Sequence, residues 1–337
     1  MQLPKIITME EVEEKEVQWL VPPYIPKNCI TIMGGDGGSG KTSVSCGIAA
    51  AISTGKKVFF DSIPENFLVC NPQKVLFLSS EDSIEYTLKT KFRKSGADLR
   101  NIISVSLQDR LFKDIKFNSP ILEALIERER PALVIFDPLQ SFIPSNMAME
   151  KRNAMRDCLS CLLGLGEKYS CTFIIICHTN KRSNAWGRKR ISDSADIWDI
   201  ARSVLIVGQT SDGKRYISQE KNSYSEEGQT AIFSINDGVA VFEQYSDKKD
   251  RDFVQEMDFC ARQAPQRTDA ENFIYEFLRD GKKPTKELDE AAEAAGISNH
   301  TLRRAKEQLR SKKILGVKSE GNGKNKIFYS YLIDKSS

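Results

Sequence analysis

Mostly apolar runs alternate with amphipathic stretches over the first 200 residues of the chain. Apolar runs without a polar period are typical of strands buried on both faces of a parallel sheet. They predict strands at Cys29–Met33, Val75–Leu78, Ile102–Val105, Leu133–Phe136 and Cys171–Cys177. The stretches between them predict helices at Thr42–Thr54, Ser83–Ser95, Pro120–Arg130 and Arg152–Tyr169. This alternation predicts an α/β fold built on a mostly parallel sheet.

The pattern changes after residue 202, where short strands follow one another without helices. Turn sequences such as Ser211-Asp212-Gly213 and Asn236-Asp237-Gly238 separate them and are typical of hairpins. The predicted strands are Ser203–Val207, Arg215–Ser218, Ala231–Ile235 and Ala240–Phe242. We therefore expect an antiparallel extension of the sheet.

A polar stretch at 246–267 predicts a linker between a core, residues 29–245, and a second domain, residues 268–337; residues 1–28 form an extended lead-in. The second domain has helical patterns at Asp269–Leu278, from Thr285 to Ala295, and at Ser298–Lys312. Two strands, Ile314–Lys318 and Ile327–Leu332, flank a Gly-Asn-Gly turn. Three helices followed by a hairpin predict a winged helix-turn-helix.

Composition supports a globular protein and places its charge unevenly. The chain has 337 residues, of which 40% are hydrophobic and 28% charged, and no apolar run reaches the length of about 18 residues that a membrane span needs. The acidic residues after the start favour neither a signal nor a transit peptide, so we expect a cytoplasmic protein with no membrane partner. The net charge is +3, yet ten Lys and Arg face three Asp and Glu from Gly296 onward, which suggests a polyanion contact at that end.

The eight cysteines favour reduced thiols over a metal site. Cys158 and Cys161 form a single C-x-x-C on a helical pattern, with no second such pair and no His pair at ligand spacing. A zinc site therefore has little support from the sequence.

The segment from residue 35 to residue 42 matches the complete phosphate-binding pattern G-x-x-x-x-G-K-[ST], between a predicted strand and a predicted helix. Glycines allow consecutive backbone N–H groups to surround a phosphate at the helix N-terminus. The expected ATP-binding residues are Gly35, Asp36, Gly37, Gly38, Ser39, Gly40, Lys41, Thr42 and Ser43. Lys41 would contact the β- and γ-phosphates, and Thr42 would ligate Mg²⁺.

Polar residues at the ends of three other predicted strands add candidate chemistry. Asp137 ends an apolar strand in the Walker B manner and would orient Mg²⁺ from a strand that we expect next to the phosphate-binding one. Glu81 would polarise the attacking water, with Asp82 as its support or as a helix cap. His178 would bond the γ-phosphate as a sensor, although a structural role is also open.

The segment 179–190 contains five cations, one tryptophan and no acid. Cations with an aromatic ring suit single-stranded DNA, because phosphates need neutralising charge and bases need a stacking face. A merely solvated loop is the alternative. The expected DNA contacts are Lys181, Arg182, Trp186, Arg188, Lys189 and Arg190, with Arg303 and Arg304 on the expected recognition helix of the second domain. Protein docking is the other role open to that domain.

Seven segments in fixed order resemble the RepA-like replicative helicases, a plasmid and phage branch of the RecA/DnaB superfamily of AAA-type ATPases. They cover roughly residues 15–245, and the appended winged helix resembles those of phage and plasmid ATPases of this type. The segments are Trp19–Pro26, Gly35–Thr42, Ser80–Asp82, Asp137–Gln140, His178–Lys181, Ala201–Val204 and Lys221–Tyr224. The ordered set is far more specific than the phosphate-binding pattern alone.

The resemblance implies a RecA-like core in a ring, usually of six subunits, with ATP at the subunit interfaces and single-stranded DNA in the channel. It implies Glu81 as the catalytic glutamate, and Arg202 and Lys221 as cations that reach the neighbouring subunit's nucleotide. Surface ion pairs are the alternative for these two cations. The expected function is a Mg²⁺-dependent ATPase that unwinds DNA in replication. Two alternatives remain: an ATP-switched DNA-binding regulator or helicase loader, and a small-molecule kinase. Duplex DNA or a replication protein is a further expected partner at the winged helix.

Overall fold

The computed structural model describes residues 6–61, 71–145, 152–180, 185–191, 195–320 and 327–333. The chain divides into two compact units, Met1–Val254 and Gln255–Ser337. Throughout the described ranges, no helix combines the length and the apolar character that crossing a membrane requires.

A nine-stranded sheet forms the centre of the first unit. A two-stranded ribbon precedes it, made of β1 (Trp19–Val21) and β2 (Ile25–Pro26). The strands of the sheet are β3 (Ile30–Gly35), β4 (Val75–Ser79), β5 (Ile102–Ile103), β6 (Leu133–Asp137), β7 (Thr172–His178), β8 (Ser203–Gln209), β9 (Arg215–Asn222), β10 (Thr230–Asn236) and β11 (Val239–Ser246). Their order is β11-β10-β9-β8-β3-β7-β6-β4-β5, with β8 to β5 parallel and β9 to β11 antiparallel. The predicted α/β fold with a mostly parallel sheet is confirmed.

Two details of the sheet differ from the expectation. β8 pairs in parallel with β3, so the antiparallel extension begins one strand later than the change in pattern suggested. β6, which ends at Asp137, is not next to β3, because β7 lies between them. The expectation of adjacent strands was wrong, since the order of strands along the chain does not fix their order in a sheet.

Two apolar layers cover the faces of the sheet, because alternate residues of each strand point to opposite sides. Ile32 and Phe136 pack in one cluster, whereas Met33 and Ile135 pack in the other. The helices of this unit are α1 (Lys41–Thr54), α2 (Lys89–Lys94), α3 (Pro120–Glu129), α4 (Arg152–Tyr169) and α5 (Ala195–Ile200). This arrangement leaves the carboxyl ends of the parallel strands at one common edge.

The long helix α6 (Asp250–Phe277) contains the point at which the two units divide. Most of the residues for which the sequence suggested a linker, 246–267, therefore lie in a helix. Asp250 and Asp252 stand in its first turn, and the Lys249 N–H donates to the Asp252 carboxylate at 2.9 Å. Acids at a helix N-terminus favour the helix, and a pattern of polar residues alone does not reveal this.

The second unit contains two further helices and a three-stranded antiparallel sheet. Its elements after α6 are β12 (Lys283–Pro284), α7 (Thr285–Ala294), α8 (Asn299–Ser311), β13 (Leu315–Glu320) and β14 (Ile327–Leu332). The strands lie in the order β12-β14-β13. Ile274, Leu288, Leu302 and Leu309 are buried in its own core. The Ser298 hydroxyl caps α8 by accepting from the Thr301 N–H at 3.2 Å.

Candidate functional site

The segment Gly35–Thr42, here called the phosphate loop, leaves the carboxyl end of β3 and enters α1. The Lys41 ammonium folds back onto the loop and donates to the carbonyls of Gly35 at 2.7 Å and Asp36 at 2.9 Å. Ser39 is buried, and its hydroxyl has no hydrogen-bond partner within the described ranges. Backbone N–H groups at the start of a 14-residue helix, a buried hydroxyl and an ammonium are the groups that bind phosphate oxygens.

Two glycines of this loop are required by its geometry. Gly40 has φ of 104°, and a Cβ there would lie 2.8 Å from the Ile235 side chain. A Cβ at Gly35 would lie 2.4 Å from the carbonyl oxygen of Val207. Any larger residue would push the loop away from β8 or force a strained backbone.

Three acidic or basic side chains meet the phosphate loop at the same edge, each from the end of a different strand. His178 ends β7 and pairs in register with Gly35 of β3. Asp137 ends β6, and Glu81 follows β4 by two residues. The His178 Nε2 and a Glu81 carboxylate oxygen lie 3.3 Å apart. The sheet therefore brings together four residues that the sequence analysis selected: Lys41, Glu81, Asp137 and His178.

The ionisable side chains at this edge change one another's pKa values. Asp137 is only 4% exposed. Burial, followed by the charges of Glu81 and Asp82, raises the pKa of Asp137 to about 6, against the opposing effect of Lys41. Burial also lowers the pKa of Lys41, although Asp137 opposes that shift. A buried carboxylate with an elevated pKa gains from any cation placed beside it.

Asp82 does not cap the following turn. The Ser83 hydroxyl does so by accepting from the Tyr86 N–H at 3.3 Å, while Asp82 forms an ion pair with Lys91 at 3.7 Å. Asp82 also donates its N–H to the Ser79 hydroxyl at 3.1 Å. The capping role expected as one alternative is therefore corrected, and Asp82 acts on the site as a neighbouring negative charge.

The sequence model of the family described as "AAA domain" matches residues 5–184, more than half of the chain. The chain belongs to the AAA domain family. The match covers Lys41, Glu81, Asp137 and His178. No curated protein matches the chain in sequence.

Among solved structures, this AAA domain protein is similar to a KaiC-like protein from the hyperthermophilic archaeon Pyrococcus horikoshii OT3. The two share 16% identity with a TM-score of 0.47, over 68% of this chain and 99% of the other. An AAA-type fold with a phosphate loop implies a nucleotide-binding ATPase.

The donor set at the carboxyl edge fits a magnesium nucleotide. Thr42 is half-buried at the first turn of α1, next to the buried Lys41 and Ser43. No hydrogen-bond donor reaches the Asp137 carboxylate within the described ranges, which leaves its oxygens for a hydrated cation. Thr42 and Asp137 are therefore the residues of this AAA domain protein that would hold Mg²⁺.

Arg202 and Lys221 lie at the opposite, amino edge of the sheet. The Arg202 N–H donates to the Ile30 carbonyl at the start of β3, and Lys221 pairs with Val204 near the start of β8. Arg202 is exposed, with its guanidinium 5.9 Å from the centre of the Tyr224 ring. Neither cation forms an ion pair with a described residue, so the alternative of surface ion pairs gains no support.

The Lys221 ammonium is already occupied. It donates to the carbonyls of Trp198 at 2.8 Å and Asp199 at 3.2 Å near the end of α5. Burial, opposed by Asp199, lowers the pKa of Lys221. Lys221 would have to leave these carbonyls to reach another subunit, whereas Arg202 would not.

The basic segment after β7 separates into residues with different surroundings. Lys181 and Arg182 lie outside the described residues. Arg188 forms an ion pair with Asp199 at 2.9 Å, and the Lys189 ammonium lies 5.5 Å from the centre of the Trp186 ring. Arg251 lies 5.0 Å from the same ring, a cation beside it that the sequence analysis did not select. These three predicted DNA contacts, Trp186, Arg188 and Lys189, remain at least partly exposed.

Arg190 is buried, so its assignment as a DNA contact is corrected. Its side chain is 7% exposed and forms ion pairs with Asp36 of the phosphate loop and with Asp250 of α6. The sequence analysis grouped it with its neighbours because cations close in sequence usually share a surface. Its acidic partners are 154 and 60 positions away, so no local signal identifies them.

Sequence reasoning also missed Arg215 at the start of β9. Its side chain packs against Gly40, where a Cβ would lie 3.2 Å from the Arg215 Cδ. The Arg215 Nε is buried and has no partner within the described ranges. β9 is joined to β8 by a hairpin and lies after the point at which the sequence pattern changes. No sequence pattern therefore indicates that Arg215 lies beside the phosphate loop.

In the second unit, two of the basic residues on α8 are paired within the unit. Arg303 forms an exposed i,i+4 pair with Glu307 at 3.1 Å. Lys306 is buried and forms an ion pair with Asp289 of α7. Arg304 is exposed.

Proposed function

We propose that this AAA domain protein is a Mg²⁺-dependent ATPase that moves along single-stranded DNA and unwinds duplex DNA, in the replication of a plasmid, phage or other mobile element. The observation that carries the proposal is the meeting of Lys41, Glu81, Asp137 and His178 at one sheet edge. These residues supply a phosphate-binding ammonium, a base, a cation-holding carboxylate and a γ-phosphate contact.

Each side chain has a defined part in the proposed hydrolysis. Lys41 exchanges its two loop carbonyls for the β- and γ-phosphate oxygens, which compensates for the burial that lowers its pKa. Glu81 accepts a proton from the attacking water. Mg²⁺, held by Thr42 and through water by Asp137, would neutralise charge on the phosphates.

His178 would report the state of the nucleotide to the basic segment. It lies 3.3 Å from Glu81 and directly precedes Thr179, whose hydroxyl donates to the Asp36 carboxylate of the phosphate loop. A change at the γ-phosphate would therefore reach the segment that holds Trp186, Arg188 and Lys189. Lys181 and Arg182 complete the proposed DNA contacts of that segment.

The position of Arg202 supports a ring. It lies about 16 Å along the sheet from the phosphate loop of its own chain, five strand residues at roughly 3.3 Å each. An arginine side chain cannot span that distance to its own nucleotide. A head-to-tail interface, closed by rotation into a hexamer, would let Arg202 and Lys221 serve the next subunit's nucleotide.

The experiment that tests the proposal is ATP-driven strand displacement on a forked duplex. We expect unwinding by the wild type and none by Lys41→Ala, while Lys56→Ala, at an exposed lysine just after α1, behaves as the wild type. The proposal is wrong if the wild type hydrolyses ATP in response to DNA but separates no strands. The mass of the nucleotide-bound assembly tests the ring.

An ATP-switched DNA-binding regulator or helicase loader is the second candidate. The observation in its favour is that two arginines of the basic segment are not free to bind single-stranded DNA: Arg190 is buried, and Arg188 is paired with Asp199. Under this reading the second unit, which we propose to be a winged helix, would bind duplex DNA or a replication protein through exposed α8 residues such as Arg303 and Arg304. ATP-dependent binding to duplex DNA without strand separation would support it.

A further inference from the structure

A charge cluster that is buried except at Asp36 connects the phosphate loop to the first turn of α6. We define the Arg190 cluster as Arg190, Asp36, Asp250 and Tyr216. One arm of the Arg190 guanidinium donates to Asp36 at 2.7 Å, and the other donates to Asp250 and, at 3.3 Å, to the Tyr216 hydroxyl. A single guanidinium therefore holds two carboxylates that are 214 positions apart in the chain.

Asp36 is the member of this cluster that belongs to the phosphate loop, and its charge acts on Lys41. It is the second residue of the phosphate loop, its side chain is 61% exposed, and its backbone carbonyl accepts from the Lys41 ammonium at 2.9 Å. The Thr179 hydroxyl donates to the other oxygen of the Asp36 carboxylate. A free carboxylate at this place would repel the phosphates that the loop binds. Arg190 and Thr179 together fix the Asp36 carboxylate and offset its charge.

Asp250 provides the fixed end of the arrangement. Its side chain is fully buried and accepts from the Gly187 N–H at 2.8 Å and from the Tyr216 hydroxyl at 2.8 Å. Its own N–H donates to a Glu220 carboxylate oxygen at 3.0 Å. These bonds hold Arg190 in one orientation, with its second arm directed at Asp36.

We propose that Arg190 is a positioning residue of the phosphate loop: by neutralising Asp36 and holding its carboxylate, it keeps the loop open to phosphate anions. This inference rests on the proposed binding of ATP. It gives Arg190 a role in nucleotide binding, and it separates this residue from the exposed cations of the same segment.

The test compares Arg190→Met with Arg100→Met, a control at an exposed arginine that is paired with Asp98. MgATP, MgADP and AMP are the probes, and calorimetry gives their affinities. We expect Arg190→Met to weaken MgATP binding about tenfold or more and AMP binding much less, because AMP lacks the β- and γ-phosphates that the phosphate loop would bind beside Asp36. Arg100→Met should stay within about twofold of the wild type.

A second substitution separates this role from a merely structural one. If Arg190 acts through Asp36, adding Asp36→Asn to Arg190→Met removes the repelling charge and restores most of the MgATP affinity. If Arg190 only keeps the segment folded, the double variant binds MgATP as weakly as Arg190→Met alone, and the inference is wrong.

Folding and DNA binding provide two further checks. If Arg190→Met does not fold, the double variant Arg190→Met with Asp250→Asn replaces it, because this variant no longer leaves the buried charge of Asp250 without a partner. Asp36 still lacks its ion pair with Arg190 in the double variant, so we expect the same loss of MgATP affinity. Unchanged MgATP affinity combined with weaker binding to an oligo-dT strand would overturn the inference in favour of a DNA contact. If the wild type itself binds no MgATP, the proposed function fails first, which distinguishes the two.

Discussion

The two edges of the parallel sheet carry different halves of the proposed chemistry. The carboxyl edge holds the phosphate loop, Glu81, Asp137 and His178 within reach of one another. The amino edge holds Arg202, which is exposed and free of ion pairs with described residues, and Lys221, which is bonded to the end of α5. In the proposed reaction, the carboxyl edge supplies most of the groups that act on the nucleotide, whereas the two cations of the amino edge would have to act on a nucleotide held elsewhere.

One copy of the chain therefore cannot bring the residues of both edges to the same nucleotide. About 16 Å of β-strand separates the two edges, which exceeds the reach of any side chain. Cations at the amino edge can act on a nucleotide only if another copy presents its carboxyl edge to them. The sheet itself would then make hydrolysis depend on assembly.

The largest expected effect tests whether the amino edge acts on the nucleotide of a neighbouring subunit. Arg202→Ala should lower DNA-stimulated ATP hydrolysis about 10³-fold if the guanidinium stabilises charge on the neighbour's γ-phosphate. Each Arg202→Ala subunit still has its own Glu81, and each Glu81→Gln subunit has its own Arg202. Mixing the two inactive variants should therefore recover part of the activity, measured as phosphate release.

Arg100→Ala is the matched control, because Arg100 is an exposed arginine whose one ion-pair partner among the described residues is Asp98. It should hydrolyse ATP at the wild-type rate. Mixtures that remain as inactive as their components would show that the amino edge contributes nothing in trans.

The next effect concerns the carboxyl edge alone. Glu81→Gln should reduce hydrolysis about 10²-fold or more while MgATP still binds, because an amide cannot accept the proton of the attacking water. Single-turnover hydrolysis and MgATP affinity, measured on the same preparation, separate the two steps. Glu85→Gln, at an exposed acid in the following turn, should leave both unchanged; an active Glu81→Gln would assign the base to another residue.

The smallest effect is on stability. The pKa of Asp137 is raised to about 6 in the folded chain, so the folded chain binds this proton more tightly than the unfolded chain does. The stabilisation that the bound proton gives is lost as the pH rises through about 6. Without nucleotide and Mg²⁺, Asp137→Asn should be more stable than the wild type at pH 7.5 by roughly 1–3 kcal/mol. The difference should shrink as the pH falls from 7 towards 4, which urea unfolding measures.

Asp98→Asn serves as the control for this measurement. The bond to Arg100 lowers the pKa of the Asp98 carboxyl, so its substitution should not stabilise the chain at pH 7.5. An Asp137→Asn variant that is no more stable than the wild type at pH 7.5 would contradict the burial argument.

Local signals were sufficient for most of the fold. Unbroken apolar runs located the parallel strands, and the glycines with Lys41 located the phosphate loop, because each depends on neighbours in sequence. The helix over 120–130 was predicted from Ser119 and Pro120; the Ser119 hydroxyl does cap it by accepting from the Leu122 N–H at 3.3 Å.

The features that the sequence did not predict depend on contacts between residues that are far apart in the chain. The insertion of β7 between β3 and β6 depends on packing of the whole sheet, which no segment records. The burial of Arg190 depends on Asp36 and Asp250, each far away in the chain. Asp250 itself stands in a polar stretch that reads as a linker, although its side chain is fully buried.

The fully buried side chain at position 250 has a practical consequence for dividing the protein. A truncation after residue 245, where the sequence pattern suggests that the core ends, would remove the acceptor of Gly187 and Tyr216 and also Phe253, whose ring stacks on Tyr216 at 4.3 Å. An isolated ATPase fragment that ends there would expose a hydrophobic ring and leave a guanidinium with one counter-ion fewer. A fragment that extends through Val254 retains all of these contacts.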